Sequence, residues 1–213
     1  MKHFLNREML APNVMTIAVD PEIVQEFADP AALEGNFSKI SPKWSSDVQW
    51  VSAADEAAFE TFQSAFDRLG IAAHVEPYVD VQNAVRLYAG FLVVRSRCTE
   101  ANFHCDWRGA NNDAFTLLTP ATANAGGFGL LYERLSGDVG DYDYSMGEAI
   151  VFGDGFSHST QPGESADPVV LLCFEFGSDR MEHWPKIYPN IAKQATHLRQ
   201  PDGKFIPTGK QSL

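Results

Sequence analysis

The stretch GEAIVFGDGFSHSTQPG, residues 147–163, runs an apolar segment into a Gly-Asp-Gly turn, presents His158, and turns again at Pro162-Gly163. Its first half is short, rich in Ile, Val and Phe, and closed by glycine, which is the texture of a strand. The same texture repeats outward in both directions. LYAGFLVVRSR (87–97), FTLLTPAT (115–122), GFGLLYERL (127–135), DYDYSM (141–146) and PVVLLCFEFG (168–177) read as further strands, with Gly, Pro, Asn, Asp and Ser between them. Short strands at close spacing, with no helical pattern intervening, predict an antiparallel sandwich or barrel. The expected fold is mainly β with flanking helices, a jelly roll or cupin-like barrel.

Helical periodicity lies outside this block. AADEAAFETFQSAFDRLG (53–70) places Phe59, Phe62 and Phe66 on one face, crowds acidic residues at its start and closes with Arg68 and Gly70. The aromatic stripe reads as a packing face. PEIVQEFA carries Pro21 where a first helical turn accepts it, and PNIAKQATHLRQ allows a short helix near the C-terminus. The chain therefore divides into an irregular and helical flank (1–80), a jelly-roll core (81–181) and a C-terminal extension (182–213). Its 213 residues suit one domain.

Acidic residues outnumber basic ones 28 to 16, a net charge of −12, which repels polyanions and argues against nucleic acid or an anionic membrane as partner. The three cysteines, Cys98, Cys105 and Cys173, show no C-x-x-C spacing, so neither a disulfide framework nor a structural zinc site is expected. MKHFLNREML puts charges where a signal peptide needs its apolar stretch, and no apolar run approaches a membrane span. A soluble, reduced, cytoplasmic protein is the expectation.

Upstream of His158, NFHCDW (102–107) holds a second candidate ligand pair. On a strand, His104 and Asp106 share a face and Cys105 takes the other. Alone, an H-x-D pair is common by chance, and a solvated or hydrogen-bonded pair is the other reading. His158 shifts the balance. Two histidines and a carboxylate on adjoining strands form a facial triad that leaves three cis positions open on octahedral Fe(II), as oxygen chemistry requires. His3, His74, His183 and His197 lie outside the strand-rich block and read as surface or packing residues.

The order H-x-D, several short strands, then a distal His after a GEAIVFGD-like strand resembles the Fe(II)- and 2-oxoglutarate-dependent oxygenases over residues 81–180. That resemblance implies a double-stranded β-helix, a metal triad of His104, Asp106 and His158, and 2-oxoglutarate and O₂ as co-substrates. It further implies decarboxylation to succinate and CO₂, coupled to hydroxylation or a related oxidation of a small-molecule substrate. Asp106 stands where halogenating relatives carry a small residue, which favours hydroxylation.

The chain departs from the family at one point. Many members clamp the distal carboxylate of 2-oxoglutarate with an Arg on the last core strand, but Pro168 and VVLLC (169–173) stand there, and no Arg or Lys follows His158 until Arg180. A buried dicarboxylate still needs a cation, best an Arg with its bidentate fork. The candidates are Arg97, Arg134 and Arg95, in that order, with a hydroxyl from Thr116 or Thr119. For each arginine the alternative is a surface ion pair of little energetic weight. Trp107, Tyr132 and Phe103 line a pocket or fill the core; Asn111 and Asn112 touch substrate or make a turn; Cys105 reads as a small buried hydrophobe. Two other functions stay open: a cupin-like metal-dependent dioxygenase or isomerase without 2-oxoglutarate, and a non-enzymatic jelly-roll binding module.

Overall fold

The computed structural model describes residues 4–42 and 47–209, so His3 lies outside it. A short pair, β1 (Leu5–Asn6) and β2 (Ala11–Pro12), leads into β3 (Val14–Ala18), helix α1 (Pro21–Gln25), β4 (Phe37–Ile40) and β5 (Val48–Ala53). Helices α2 (Glu56–Arg68) and α3 (Ile71–Val75) follow. The central strands are β6 (Arg86–Cys98), β7 (Ala114–Pro120), β8 (Leu130–Glu133), β9 (Val139–Tyr142), β10 (Glu148–Phe152), β11 (His158–Thr160) and β12 (Gly163–Gly177). Helix α4 (Trp184–Ile191) and a hairpin of β13 (His197–Arg199) and β14 (Phe205–Pro207) come last.

Seven strands form one antiparallel sheet in the order β3-β10-β7-β12-β6-β5-β4, and three form a smaller one, β11-β8-β9. His104 extends the smaller sheet by an isolated bridge to His158. From β6 onward the chain crosses between sheets: large at β6, small at His104, large at β7, small at β8 and β9, large at β10, small at β11, large at β12. That alternation is a double-stranded β-helix. Val14, Ile150 and Phe152 of the large sheet meet Leu130 and Tyr132 of the small one in a common core.

Strand β6 and the second half of β12 (169–177) read as nearly unbroken apolar runs because both faces of the large sheet are covered there. Helix α2 covers one face. Phe66 sets its ring 5.6 Å from that of Phe174 and 5.2 Å from that of Phe176, while Phe62 fills the space over Gly90, where any Cβ would overlap its ring. Asp55 caps α2 by accepting from the Ala58 N–H at 2.8 Å. The helix stops at Gly70, whose φ of +63° suits glycine.

Several expectations need correction. Residues 1–80 are more than a flank, since β3, β4 and β5 all join the large sheet. β3 pairs with β10 through five residues, and β5 pairs with β6 from Val48↔Arg95 to Ser52↔Phe91. These strands escape notice because they are short and take their burial from partners distant in sequence. The C-terminal helix spans 184–191 rather than the PNIAKQATHLRQ segment: Pro185 starts it, and His197–Arg199 leaves as a strand paired to β14. No helix among the described residues is long and apolar enough to cross a membrane.

Candidate metal centre and adjoining cavities

His104 and His158 exchange both backbone hydrogen bonds, His104 N–H to His158 O and the reverse, each at 2.9 Å. Residues opposed in this way point their side chains to the same side of the ladder, and the imidazole centroids lie 4.6 Å apart. NFHCDW is not a regular strand, only this single bridge followed by a bend. Alternation nevertheless holds, and Asp106 joins the two rings. Its Oδ1 is 3.5 Å from His104 Nε2 and 3.9 Å from His158 Nε2. One ligand atom from each of the three residues lies within 4.8 Å of the others.

The neighbouring hydrogen bonds prepare these atoms for a cation. His104 Nδ1 meets Asn102 O at 2.9 Å and His158 Nδ1 meets Phe156 O at 3.2 Å. A carbonyl can only accept, so each Nδ1 carries the proton and each Nε2 offers its lone pair. Thr116 Oγ1 donates to Asp106 Oδ2 at 3.0 Å and accepts from Trp107 Nε1 at 3.0 Å. Oδ1 is left facing the histidines.

Charge follows the same plan. Burial would push the Asp106 carboxyl up, but the His104 contact, the two imidazoles and the Thr116 hydroxyl outweigh it and hold it well below the usual carboxylate range. Burial lowers His158, helped by the neighbouring His104. Burial also acts to lower His104, yet Asp106 and the Asn102 carbonyl prevail and raise it. Cys105 is half-buried off the triad, and burial pushes its thiol up.

An inner cavity of about 100 Å³ opens beside the triad, walled by Phe91, Leu118, Leu130 and Leu171. Arg95, Tyr144 and Thr160 bring its polar groups. Arg95 is almost fully buried; its Nη1 donates to Thr160 Oγ1 at 2.9 Å and its Nε to Arg97 O at 3.2 Å. Burial pushes the Tyr144 phenol up, which keeps its hydroxyl a donor. An outer cavity of about 160 Å³ shares His104 and Asp106 and is bounded by Trp50, Asn102, Lys193 and Gln194.

The structure places the predicted arginines differently from their expected order. Arg97, first choice, pairs with Glu164 at 3.0 Å with its side chain 58% exposed. The reason is a register irregularity: Glu164 pairs with Arg97 and Val169 with Arg95, so residues 165–168 bulge out opposite Ser96. Pro168, which has no N–H for the ladder, sits in that bulge. Arg134 follows β8, stacks 5.9 Å over the Tyr132 ring and lines neither cavity. Arg95, the last choice, is the arginine in the inner cavity. Thr116 lines that cavity too, but its hydroxyl is engaged by Asp106 and Trp107, and Thr119 donates to Glu148 O at 2.8 Å.

Trp107 and Tyr132 are core residues, both buried. Asn111 and Asn112 make a left-handed turn, with φ of +56° and +63°. His74 is exposed, His183 lies between Ser178 and Asp113, and His197 stacks on Phe205. Sequence reasoning missed Tyr144, Thr160, Trp50, Lys193 and Gln194. Only Tyr144 carried a local signal, an aromatic in DYDYSM close to the strand that precedes His158.

No family model matches the sequence, and no curated protein matches it. Solved structures do. HygX from Streptomyces hygroscopicus, with nickel and 2-oxoglutarate bound, superposes with a TM-score of 0.56 at 15% identity over 82% of this chain and 88% of HygX. The chain has the fold of the 2-oxoglutarate-dependent oxygenases. SnoN, a non-heme alpha ketoglutarate dependent epimerase from nogalamycin biosynthesis, reaches 0.62 at 10% identity, covering 78% of this chain and 79% of SnoN. A Pseudomonas putida prolyl-4-hydroxylase reaches 0.54 at 15% identity over 78% and 92%. At these identities the likeness to the oxygenases is one of fold, and the chemistry rests on this chain's own side chains.

Proposed function

We propose that this chain, acting as one domain over residues 1–213, is a non-haem Fe(II)-dependent oxygenase. In this reading it couples oxidative decarboxylation of 2-oxoglutarate to hydroxylation, or a related oxidation, of a small molecule. The observation that carries the reading is the convergence of His104, Asp106 and His158 with both Nδ1 atoms tied to carbonyls. Two imidazole nitrogens and one carboxylate oxygen are the donor set of a facial triad for Fe(II). Arg95 in the same cavity supplies the cation that a buried dicarboxylate needs. The three cysteines, all free, are in keeping with a reducing cytoplasm.

Iron(II) and 2-oxoglutarate, when bound, would activate O₂ as the oxidant: the keto acid would give up two electrons in becoming succinate and CO₂, and the substrate would supply the other two. The chain's own residues do the rest. Thr116 and Trp107 hold Asp106 with one oxygen turned to the histidines. Arg95, steadied by Thr160 and the Arg97 carbonyl, orients the distal carboxylate of the co-substrate, with the Tyr144 hydroxyl as a second donor. The apolar walls of Phe91, Leu118, Leu130 and Leu171 keep bulk water away from the reacting centre.

Anaerobic addition of Fe(II) and then 2-oxoglutarate tests this reading. A weak visible charge-transfer band and slow succinate formation on admission of O₂ are expected. Iron binding with neither band nor succinate transfers the assignment to a cupin-like dioxygenase or isomerase. Absence of iron binding leaves a non-enzymatic module.

A further inference from the structure

The outer cavity has a composition of its own. Asp106 is the acidic side chain in its lining, and in the proposed function that group belongs to the metal. Against it stand the Lys193 ammonium, the Gln194 amide and the Asn102 amide, with the Trp50 indole as a wall. Lys193 lies on the turn after α4, is exposed, and forms no ion pair within 4 Å among the described residues. Lys193 lines the same cavity as His104 and Asp106, so its ammonium faces the site. Gln194 and Trp50 line inner and outer cavities alike.

With 28 acidic residues against 16 basic, a lysine could easily have found a carboxylate on this surface. An ion-unpaired ammonium at the mouth of the cavity, next to an amide and a flat apolar wall, is complementary to one kind of molecule. We propose that Lys193, with Gln194 beside it, is the substrate-recognition site for a small carboxylic acid whose flat apolar body lies along Trp50. This rests on the reading of the inner cavity as the 2-oxoglutarate site, because Arg95 is then taken and Lys193 remains for the substrate. The two anions are kept apart by position: one at a buried arginine, the other at a lysine on the rim. Lys193 and Gln194 are positioning residues, setting which carbon of the acid faces His104 and Asp106.

Calorimetric titration with phenylacetate and indole-3-acetate, and with their neutral amides, tests the inference on protein loaded anaerobically with Fe(II) and 2-oxoglutarate. The acids are expected to bind about tenfold tighter than the amides, the scale of one charge-assisted hydrogen bond at a partly exposed site. Lys193→Met, an exposed substitution, is expected to erase that preference and leave the visible band of the 2-oxoglutarate complex in place. Equal affinity for acid and amide, no saturable binding of either acid, or a preference that survives Lys193→Met overturns the inference. The co-substrate reading is scored separately by the band. A Lys193-dependent preference without a band sinks 2-oxoglutarate and keeps the acid site, whereas a band without the preference does the reverse.

Discussion

Thr116 donates its hydroxyl hydrogen to Asp106 Oδ2 at 3.0 Å while the Trp107 indole N–H occupies the same hydroxyl oxygen at 3.0 Å. The three groups are all buried, so the hydroxyl has one orientation that satisfies both partners. Removing it strands a buried indole N–H and frees the carboxylate to rotate. Thr116→Val is expected to weaken Fe(II) or Co(II) binding about 10–100-fold, the usual range for a group that orients a metal ligand. Thr116→Ser, which keeps the hydroxyl, is expected to restore most of it. Metal titration of the two variants, with circular dichroism to confirm the fold, separates orientation from stability; equal affinity in Thr116→Val and the unmodified protein refutes the role.

Arg95 and Arg97 make the next contrast. Arg95→Met removes a nearly buried guanidinium from the inner cavity and is expected to cost about 100-fold in 2-oxoglutarate affinity, roughly 3 kcal/mol. Arg97→Met removes one partner of an exposed pair with Glu164, where surface ion pairs contribute about 0–1 kcal/mol, so co-substrate affinity is expected to stay put. Spectroscopic titration of the two variants decides the matter. A larger loss in Arg97→Met returns the assignment to the arginine that the sequence favours.

Those two arginines also mark how far the sequence could be read. His104, Asp106 and His158 were legible because alternation and strand order are local properties, and the reciprocal bridge between the histidines preserves both. Arg95 and Arg97 share the same alternation, but the register break at residues 165–168 falls between their partners and β5 pairs with β6 no further than Arg95. Arg95 therefore stays inside while Arg97 meets Glu164 at the surface. That break belongs to the pairing of β12 with β6, strands far apart in the chain. Lys193 and Gln194 stayed hidden for a related reason: their turn reaches the triad only because α4 packs Trp184, Ile187 and Ile191 against the core around Tyr88 and Trp107. The β6–β12 block announced itself through long apolar runs, whereas VQWVSA in β5 is too short and mixed to do so.

Asp154 ties the two halves of the triad together. Its Oδ1 and Oδ2 accept from the N–H groups of Gly109 and Asn111, each at 3.0 Å, and its carbonyl accepts from Asn13 Nδ2 at 2.7 Å. The loop leaving Asp106 is thereby fixed to the turn that delivers His158. Asp154→Ala is expected to cost about 1–3 kcal/mol, the scale of two hydrogen bonds to a charged acceptor in a partly exposed setting. For a chain of this size that is roughly 2–4 °C in Tm per kcal/mol. Metal affinity is expected to fall with it, because the loop and turn lose their common anchor. A variant whose Tm drops while metal binding holds confines Asp154 to a stability role.

Glu175 is buried on β12, and its Oε2 has no hydrogen-bond partner among the described residues. Burial, then the charge of Asp106, pushes its carboxyl well above the ordinary range, with Lys193 opposing; the buried Cys173 thiol also faces it. The folded state therefore holds this proton above the point, about pH 4.3, where the unfolded chain gives it up. Across that interval the native state binds more protons than the unfolded one, so Glu175 makes stability fall as pH rises from about 4.3 towards its folded value. Glu175→Gln keeps the shape and abolishes the titration. The variant is expected to be close to the parent at pH 4 and more stable by about 1–3 kcal/mol at pH 8, the cost of an uncompensated buried polar group. Thermal unfolding of the metal-free proteins at both pH values reads the difference directly, and a gain that is equal at pH 4 and pH 8 shows that packing, not the proton, is responsible.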